Sequence, residues 1–503
     1  MNTRSRSDRA PILDSVVVDR AARASLQKQL CDEMKRLIHG GRWRPGQRLP
    51  STRSLAEDLG LSRNTVTAAY DRLIGEGYLE AKPRSALFVA AAVVGGASPR
   101  TRRRPSPALL VDATLPVDRT LPVDATLPAL AAAPRPFRPC QPDVRLFPVR
   151  LWNRLRGRRI RTDGPALFMY QSELTLGLPA LRQAIAEYLR QSRGVRCDWR
   201  QVAITTGSQQ ALYLLAQALL GRDARVLVED PGYPGARHAW ASRGARIEPV
   251  PVDEQGCVPP ADCVPASPTL IYMTPSRQFP TGACLPVARR LAWLALARRA
   301  DAWVVEDDYD SEFRYGRAPM PSLHGLDTSG RVIYVGSMSK VLFPSLRIGY
   351  AVLPATLVDR FAALRSVVDD HGPLIDQATL AAFIESGAFF THIRRCRRHY
   401  GERQRVFLER ARSVGLPFDF AHADGGMNLL GRLPAGTDEG RLGRLMSDAG
   451  FDIPTLAAYS LRPQPLPGFV FGFSAFTVSE LERHLTNLAR ALGRPDRRSR
   501  SAG

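Results

Sequence analysis

The sequence RVIYVGSMSKVLFPSLRIGY (residues 331–350) is the most informative about the larger part of this 503-residue chain. It begins as a buried strand, passes through a turn of small residues to Lys340, and carries Arg347 seven residues later. Only four of the 70 basic residues are lysines, and Lys340 is the one that follows Lys82. An arginine-rich chain that keeps one lysine here indicates a need for an amine, because a guanidinium stays protonated and forms no Schiff base.

Short apolar runs on both sides of this stretch alternate with longer helical patterns from about residue 138 onward. The runs include RVLVE (225–229), TLIYM (269–273), AWVVED (302–307) and RVIYVG (331–336). Strands that alternate with helices predict a largely parallel α/β sheet. We assign residues 138–495 to this domain.

The 331–350 stretch resembles the Schiff-base segment of fold-type I pyridoxal-phosphate enzymes, the aspartate aminotransferase superfamily. The resemblance implies an aminotransferase-like domain, pyridoxal 5'-phosphate as cofactor, and Lys340 as the catalytic lysine that holds it as a Schiff base. In that superfamily a Ser or Thr three residues before the lysine and an Arg after it hold the cofactor phosphate. These roles fall to Ser337 and Arg347.

A second phosphate-binding element is predicted in VAITTGSQQALYLLAQALL (202–220), which has the pattern of a strand, a small-residue turn and a helix. Backbone N–H groups at the start of a helix, together with the helix dipole, attract phosphate. We expect Gly207, Ser208 and Gln209 to present such groups to the cofactor.

The resemblance to the superfamily implies further cofactor contacts in two turns. In VLVEDPGYPGAR (226–237), Tyr233 stands where the superfamily stacks an aromatic ring on the pyridine. TPSRQFPTG (274–282) resembles the superfamily's Asn-Pro-Thr-Gly region, with Phe279 in place of the Asn. We expect Gln278 to supply the hydrogen bond that this exchange removes.

The acidic end of AWVVEDDYDSEFRY (302–315) completes the predicted cofactor site. A carboxylate at this place keeps the pyridine nitrogen protonated and makes the cofactor an electron sink. The family's spacing assigns Asp307 to the nitrogen and Tyr309 to the phenolic oxygen of the ring. Glu306 and Asp308 are expected to make solvent or loop contacts instead.

The first 90 residues have a different pattern. Helices are predicted in LQKQLCDEMKRLIHGG (26–41), STRSLAEDLG (51–60) and SRNTVTAAYDRLIGEG (62–77), and two short strands in YLEAKPRSALFVA (78–90). Two helices joined by a short turn form a helix-turn-helix, whose second helix enters the major groove by its N-terminal residues. Those residues are hydrogen-bonding side chains and one arginine: Ser62, Arg63, Asn64, Thr65 and Thr67.

The string PGQRLPSTRSLAEDLGLSRNTVTAAYDRLIGEGYLE (45–80) resembles the winged helix of GntR-type bacterial regulators. The resemblance implies DNA-facing roles for Arg53, Ser62, Arg63, Thr65 and Thr67. The wing of that family turns on Gly-Ser-Gly, whereas this chain has Arg84-Ser85-Ala86, which lacks the glycines that adopt positive φ at low cost. Arg84 is a candidate for an additional phosphate contact.

The intervening segment separates the two patterns. Residues 91–137 are dominated by Ala, Pro, Ser and Arg and contain VDATLP, VDRTLP and VDATLP in tandem (111–128), which predicts a semi-extended linker. The predicted organisation is therefore multidomain: an α+β winged helix-turn-helix (1–90), a linker (91–137), the α/β domain (138–495) and a basic tail (496–503).

Composition and charge indicate which classes of partner the protein binds. The formal net charge of +22 favours a polyanion such as DNA, although the arginine bias of a GC-rich genome produces a similar excess of positive charge. No apolar run is long enough to span a membrane, and the N-terminus lacks a signal-peptide core. Seven cysteines without a CxxC pair argue against a disulfide framework or a metal site, so the expected location is the cytoplasm.

A GntR-like winged helix, a linker and an aminotransferase-like domain in one chain resemble the MocR/GabR family of bacterial transcription regulators. EDPGYPGAR, QFPTG and EDDYDSEFRY are strings particular to that family. The resemblance implies a homodimeric, double-stranded DNA-binding regulator that senses pyridoxal phosphate or a small amino compound bound to it. Arg277 and Asn428 stand where the family more often has His. The segment MYQSELTLGLPALR (169–182) lacks the usual Asp-Pro after its Tyr.

Two alternatives stay open at this point. In the first alternative, the chain is a catalytically active aminotransferase with an accessory DNA-binding domain. In the second, it is a regulator that has lost its cofactor and keeps the fold. The complete set of Lys340, Asp307, Tyr309 and Arg347 argues against the second alternative. The late strand FVFGFSAF (469–476) offers no Arg for a substrate carboxylate, which leaves Arg462 or Arg237 as candidates.

Overall fold

The computed structural model describes residues 16, 18–19, 25–82, 86–90, 134–260, 269–315, 320–420, 424–464 and 467–493. The chain divides into two compact units, Met1–Ala113 and Thr114–Gly503. Most of the predicted linker, the wing tip with Arg84 and Ser85, and the basic tail lie outside the described residues.

The smaller unit follows the predicted order of three helices and two strands. Its elements are α1 (Leu26–His39), α2 (Thr52–Leu59), α3 (Arg63–Gly75), β1 (Leu79–Lys82) and β2 (Ala86–Val89). Serine side chains cap all three helices, since Ser25, Ser51 and Ser62 each accept a hydrogen bond from a backbone N–H in the first turn. The strands pair antiparallel, with Lys82 opposite Ala86, which is the geometry of a short wing.

One face of each helix forms the core of the smaller unit. Leu30, Met34 and Leu37 of α1 are fully buried with Val66 and Leu73 of α3. Their spacing of three to four residues is the apolar period that the sequence shows, so helix amphipathicity alone accounts for this packing.

The larger unit alternates helices and strands. Its helices are α4 (Val149–Asp163), α5 (Pro179–Arg193), α6 (Ser208–Leu219), α7 (Pro234–Ala241), α8 (Val287–Arg299), α9 (Leu323–Leu326), α10 (Met338–Val341), α11 (Val358–Val368), α12 (Leu374–Glu385), α13 (Ala388–Ser413), α14 (Glu439–Asp448) and α15 (Val478–Ala491). Its strands are β3 (Val202–Thr205), β4 (Arg225–Asp230), β5 (Arg246–Asp253), β6 (Gly256–Cys257), β7 (Leu270–Met273), β8 (Trp303–Asp308), β9 (Val332–Ser337), β10 (Gly349–Val352), β11 (Asp419–Phe420), β12 (Asn428–Arg432) and β13 (Gly468–Gly472).

The main sheet has eight strands in the order β3-β10-β9-β8-β7-β4-β5-β6. Strands β5, β4, β7, β8 and β9 are parallel neighbours, which confirms the predicted α/β sheet. β10 runs antiparallel between β9 and β3, and its register places Gly349 opposite both Ser337 and Thr205. Ligands of such sheets bind beyond the carboxyl ends of the parallel strands, and β10 begins at that edge.

A second, three-stranded antiparallel sheet (β11-β12-β13) carries its own aromatic core. Phe137, at the end of the predicted linker, is fully buried there against Phe407, Phe451 and Phe471. The folded unit therefore includes Phe137.

Within the described parts of the chain, no helix combines the length and apolar character that a membrane crossing requires. The six described cysteines are free, and the described residues contain no cluster of three or more His, Cys, Asp or Glu that suits a metal ion.

Candidate functional site

A cavity of about 360 Å³ lies at the carboxyl edge of the main sheet. Five of the predicted cofactor residues line it: Ser208, Tyr233, Asp307, Tyr309 and Lys340. These residues follow or end different strands and are brought together because parallel strands all end at one edge of the sheet.

Lys340 reaches this cavity from the short helix that follows β9. Ser337 ends the strand and caps the helix, its hydroxyl accepting a hydrogen bond from the Ser339 N–H at 3.3 Å. The Lys340 Nζ donates to the Cys140 carbonyl oxygen at 3.2 Å. None of the acids in the described chain forms a salt bridge with Lys340, so its amine is held by a neutral group inside a cavity.

Asp307 lies at the other side of the cavity, near the end of β8. Its Oδ2 accepts a hydrogen bond from the Tyr272 hydroxyl at 2.8 Å. Burial raises the pKa of Asp307 to about 7, and the Tyr272 hydrogen bond opposes this shift. A cation next to Asp307 would offset the free-energy cost of ionising this buried carboxyl group. A protonated pyridine nitrogen is a cation of this kind.

The two neighbouring acids are buried and have other partners. Glu306 accepts hydrogen bonds from the Leu323 and His324 N–H groups at the start of α9. Asp308 pairs with the buried Arg193 at 2.6 Å. Asp308 also accepts from the Ser311 hydroxyl in the turn after β8 at 2.7 Å, so both acids make the expected loop contacts, although neither faces solvent. Asp307 is the one of the three acids that lines the cavity.

The start of α6 forms the third side of the cavity. Gly207 occupies the N-cap with φ 86°, so the first-turn N–H groups receive no side-chain cap. Arg347 lies beside it, and its Nη2 donates to the Thr206 carbonyl at 3.0 Å. A Cβ on Gly349 would lie 2.5 Å from the Gly207 carbonyl carbon and 2.7 Å from the Ser208 nitrogen. Only a glycine in β10 leaves this helix end in place.

Gln209 does not line the cavity, but its side chain bonds two residues that do. Its Nε2 donates to the Gly235 carbonyl at 2.8 Å, and its Oε1 accepts from the Tyr233 hydroxyl at 3.2 Å. Gln209 therefore fixes the ring of Tyr233 next to the helix start. Burial raises the pKa of Tyr233 to about 12, so the hydroxyl remains a donor at neutral pH.

Aromatic rings close the cavity between these groups. Phe279 meets Tyr233, Tyr309 and Tyr459 edge to face, with centroid separations of 6.0, 5.7 and 5.0 Å. Gln278 does not line the cavity. Its Nε2 donates to the Pro231 and Phe279 carbonyls and to Oε2 of the buried Glu229 at 3.3 Å, so its amide bonds two turns and the end of β4.

Sequence reasoning missed a hydrogen-bonded group around Cys140. Cys140 has φ 59°, and its N–H donates to Asn428 Oδ1 at 2.7 Å while Asn428 Nδ2 lies 3.2 Å from the Cys140 sulfur. Arg277 donates to the Asn428 carbonyl at 2.8 Å and pairs with the buried Asp310 at 3.3 Å. Arg277 and Asn428, which stand where the family more often has His, are therefore bonded to each other. Asn428 in turn holds Cys140, whose carbonyl accepts from Lys340. The only signal in the sequence was that Arg277 and Asn428 depart from the family pattern.

The arginines that were candidates for a substrate carboxylate have other places. Arg237 donates to the Tyr459 carbonyl at 3.1 Å, and the backbone N–H of Arg462 donates to Asp230. Neither lines the cavity. Among the described residues, Arg138 and Lys340 are the cationic side chains that line the cavity. The Arg138 Nε lies 3.8 Å from Asp452 Oδ2.

The predicted DNA-contacting residues lie in the smaller unit, on α2 and at the start of α3. Arg63 and Asn64 are exposed. The Ser62 hydroxyl accepts from the Thr65 N–H at 3.1 Å and pairs with the Thr65 hydroxyl at 2.8 Å, so these two side chains cap the helix. Arg53 forms an exposed salt bridge with Glu57 at 3.0 Å, a pair of little energetic weight that DNA can replace.

Comparisons with known proteins agree with both units. Residues 26–89 match the family described as "Bacterial regulatory proteins, gntR family", and residues 162–440 match "Aminotransferase class I and II". The chain is 38% identical to the probable rhizopine catabolism regulatory protein MocR of Rhizobium meliloti, covering 95% of each chain. It is 36% identical to the HTH-type transcriptional regulator TauR of Rhodobacter capsulatus, covering 95% of this chain and 99% of that one.

The chain belongs to the MocR/GabR family of transcription regulators. Its relatives match over both units, which supports a DNA-binding regulator over an aminotransferase with an accessory domain. Among solved structures, the α-aminoadipate aminotransferase LysN of Thermus thermophilus, complexed with N-(5'-phosphopyridoxyl)-L-leucine, is 29% identical. That match covers 71% of this chain and 91% of LysN with a TM-score of 0.65. The larger unit of this family member thus has the fold of pyridoxal-phosphate-dependent aminotransferases.

Proposed function

We propose that this regulator binds pyridoxal 5'-phosphate in the 360 Å³ cavity and that the bound cofactor, or its adduct with a small amino compound, controls DNA binding. One observation carries the proposal. The cavity joins a lysine amine, a buried carboxyl group and an uncapped helix start beside an arginine, and these are the three groups that such a cofactor requires.

The cavity fits the cofactor's phosphate at the α6 end. Gly207 leaves the first-turn N–H groups of α6 without a side-chain cap, and Gly349 lets the strand approach them. Arg347 adds a guanidinium, which matches phosphate oxygens in a bidentate geometry. Ser337 lies opposite Gly349 in the sheet register and contributes a hydroxyl at the same edge.

The remaining groups fit the ring. Pyridoxal phosphate supplies an electrophilic carbonyl and an electron sink when it is bound. The Lys340 amine is the nucleophile for that carbonyl, and the Cys140 carbonyl oxygen orients it by accepting one of its hydrogens. Asp307 holds a proton on the ring nitrogen, Tyr309 donates towards the phenolic oxygen, and Tyr233 covers the ring. Phe279 fills the position of a polar side chain and makes this part of the cavity drier.

The homodimer is part of the proposal. Phe168, Met169 and Tyr170 form a consecutive apolar segment whose side chains are 65%, 62% and 91% exposed. Large apolar groups that are exposed together mark an interaction surface. A second copy of the chain is the partner that supplies paired winged helices for two half-sites of an operator.

Spectroscopy and mapping test the cofactor assignment. The purified full chain with added cofactor is expected to show a visible absorption band that borohydride abolishes, and peptide mapping should then find a pyridoxyl group on Lys340. Lys340→Ala should lose the label, whereas Lys28→Ala, at an exposed lysine of the smaller unit, should keep it. A label that persists in Lys340→Ala contradicts the assignment.

DNA binding tests the sensing step. Operator affinity of the full chain should differ between the cofactor-free and the loaded state, and Lys340→Ala should bind DNA without this response. Repeated turnover of an amino donor with a keto acid, in excess of the protein, would instead show that the fold also works as a transaminase. Equal operator affinity in all states contradicts control by the cofactor.

A further inference from the structure

Helix α4 (VRLWNRLRGRRIRTD, 149–163) carries an unusual excess of arginine. Six of its fifteen residues are arginines, and five of these are exposed: Arg150, Arg154, Arg156, Arg158 and Arg161. The helix contains one acid, Asp163, which pairs with the sixth arginine, Arg159, at 2.8 Å. The five exposed guanidiniums form no hydrogen bond or salt bridge with any part of the chain that the structure describes.

Four of these arginines form a single row. Arg150, Arg154, Arg158 and Arg161 are spaced by four, four and three residues, so they lie on one face of the helix. The buried Trp152 is on the opposite face, where α4 contacts α12. Arg150 and Arg161 are eleven positions apart, which corresponds to about 16 Å along the helix.

The row is unfavourable for the helix itself. Like charges at i and i+4 destabilise a helix, and a cation in the first turn, such as Arg150, opposes the helix dipole. Some exposed arginines elsewhere in the larger unit have an acid one turn away, as in the Arg190–Glu187 and Arg405–Glu409 pairs, whereas none of the four in this row has one. Self-stabilisation therefore does not explain why α4 carries the row.

We propose that this arginine row binds the phosphate backbone of DNA outside the bases read by the winged helices. The proposal rests on the DNA-binding function of the family. DNA is a stiff polyanion with one phosphate per about 3.4 Å of each strand, so a row of about 16 Å runs along four or five phosphates. Arginine is the side chain whose planar fork matches phosphate best. Because these contacts are to the backbone, the row adds affinity without sequence preference.

The test replaces the row by glutamine in the full chain. R150Q/R154Q/R158Q/R161Q keeps good helix formers and removes four positive charges. A matched control, R298Q/R299Q/R360Q/R444Q, removes the same charge from exposed arginines on α8, α11 and α14 that form no salt bridge in the described chain. Both variants and the wild type are titrated with a promoter fragment trimmed to the winged-helix sites and with one extended on both sides, over a series of salt concentrations.

The row variant is expected to bind the extended fragment at least tenfold more weakly than the control at low salt. The slope of log K against log salt should fall by about 3 to 4, since each lost phosphate contact removes about 0.9. On the trimmed fragment the two variants should bind alike. Equal binding of both variants to the extended fragment overturns the proposal.

Two further measurements separate this outcome from others. If Arg63→Ala and the wild type bind every fragment alike and without sequence preference, the regulator function itself fails, whatever the row does. If sedimentation shows that the row variant loses self-association while the control does not, the row contacts another protein surface and the DNA proposal is wrong.

Discussion

Replacing Asp307 with Asn should change the stability of the cofactor-free protein and the affinity for the cofactor in opposite directions. Asp307 is buried, and desolvation raises its pKa to about 7 although Tyr272 donates a hydrogen bond to it. Without a cationic ligand its ionisation costs folding free energy. Asn has the same shape, keeps an acceptor for Tyr272 and carries no charge.

The magnitude follows from proton linkage. A carboxyl whose folded pKa of about 7 exceeds an unfolded value of about 3.9 binds protons more strongly in the folded state, so stability falls as pH rises through this window. The penalty grows from about 1.5 kcal/mol at pH 5 to about 4 kcal/mol at pH 8. Asp307→Asn removes it, and the gain in stability should therefore be about 2.5 kcal/mol larger at pH 8 than at pH 5.

The assay is calorimetric unfolding of the cofactor-free full chain at both pH values, with the transition of the larger unit analysed separately. Asp310 also has a pKa raised to about 7 by burial, and it contributes equally to wild type and variant. Burial likewise raises the pKa of Glu229 to about 7, and the charge of Asp307 adds to that rise, so Asp307→Asn removes part of the pH-dependent cost of Glu229 as well and acts in the same direction. Tyr272→Phe serves as the control: it removes the donor that favours the ionised form, so it should destabilise the protein more at pH 8 than at pH 5.

Cofactor titration gives the second half of the prediction. Asp307→Asn should weaken cofactor binding, because the ring nitrogen loses its anionic partner. A stabilisation that is the same at pH 5 and pH 8 would refute the argument from burial. An unchanged cofactor affinity would refute the assignment of Asp307 to the ring nitrogen.

Three other substitutions test separate parts of the molecule. Arg63→Ala should cost about 1–3 kcal/mol of operator-binding free energy and relax one base preference per half-site. Arg53→Ala should instead weaken binding to all sequences and lower the slope of log K against log salt by about one. Gel shifts that show the reverse would contradict these roles. Gly349→Ala should abolish phosphate binding, because its Cβ would lie 2.5 Å from the Gly207 carbonyl carbon, and titration with inorganic phosphate checks this. Cys140→Gly should raise the free energy of unfolding by about 1 kcal/mol by relieving the positive φ of 59°; a loss of stability in denaturant unfolding would show that the thiol contributes more than the strain costs.

The smaller unit and the order of the larger one could be predicted because their signals are local. Apolar spacing and serine caps predict α1, α2 and α3 within a few residues, and short apolar runs predict the parallel strands. The direction of β10 could not be predicted in this way. It depends on Gly349 fitting between Ser337 and Thr205, which are distant in sequence from each other. A strand's own residues do not specify its neighbours.

The same distinction holds within the candidate site. Lys340, Asp307 and Tyr309 follow from motifs, because each stands at a fixed place after a strand. The roles of Cys140 and Tyr272 could not be predicted from motifs, because they arise from contacts with residues far along the chain. Cys140, for example, is 200 residues from Lys340. Gln278 was assigned by analogy with a missing Asn, but its amide donates to the backbone of two turns and to the buried Glu229 carboxylate.

The position of Cys140 leads to a last prediction, about the part of the chain that precedes it. The Cys140 carbonyl accepts from Lys340, and the Cys140 N–H donates to Asn428, so a ligand that engages the Lys340 amine removes one of the two backbone hydrogen bonds that hold this residue. Arg138, two residues earlier, also lines the cavity, and it follows Phe137, which is buried in the core of the larger unit. Hydrogen exchange of residues 134–141 should therefore change on cofactor binding in the wild type. It should not change in Lys340→Ala at the same cofactor concentration, and an identical change in that variant would show that the segment responds to occupancy of the cavity rather than to the lysine.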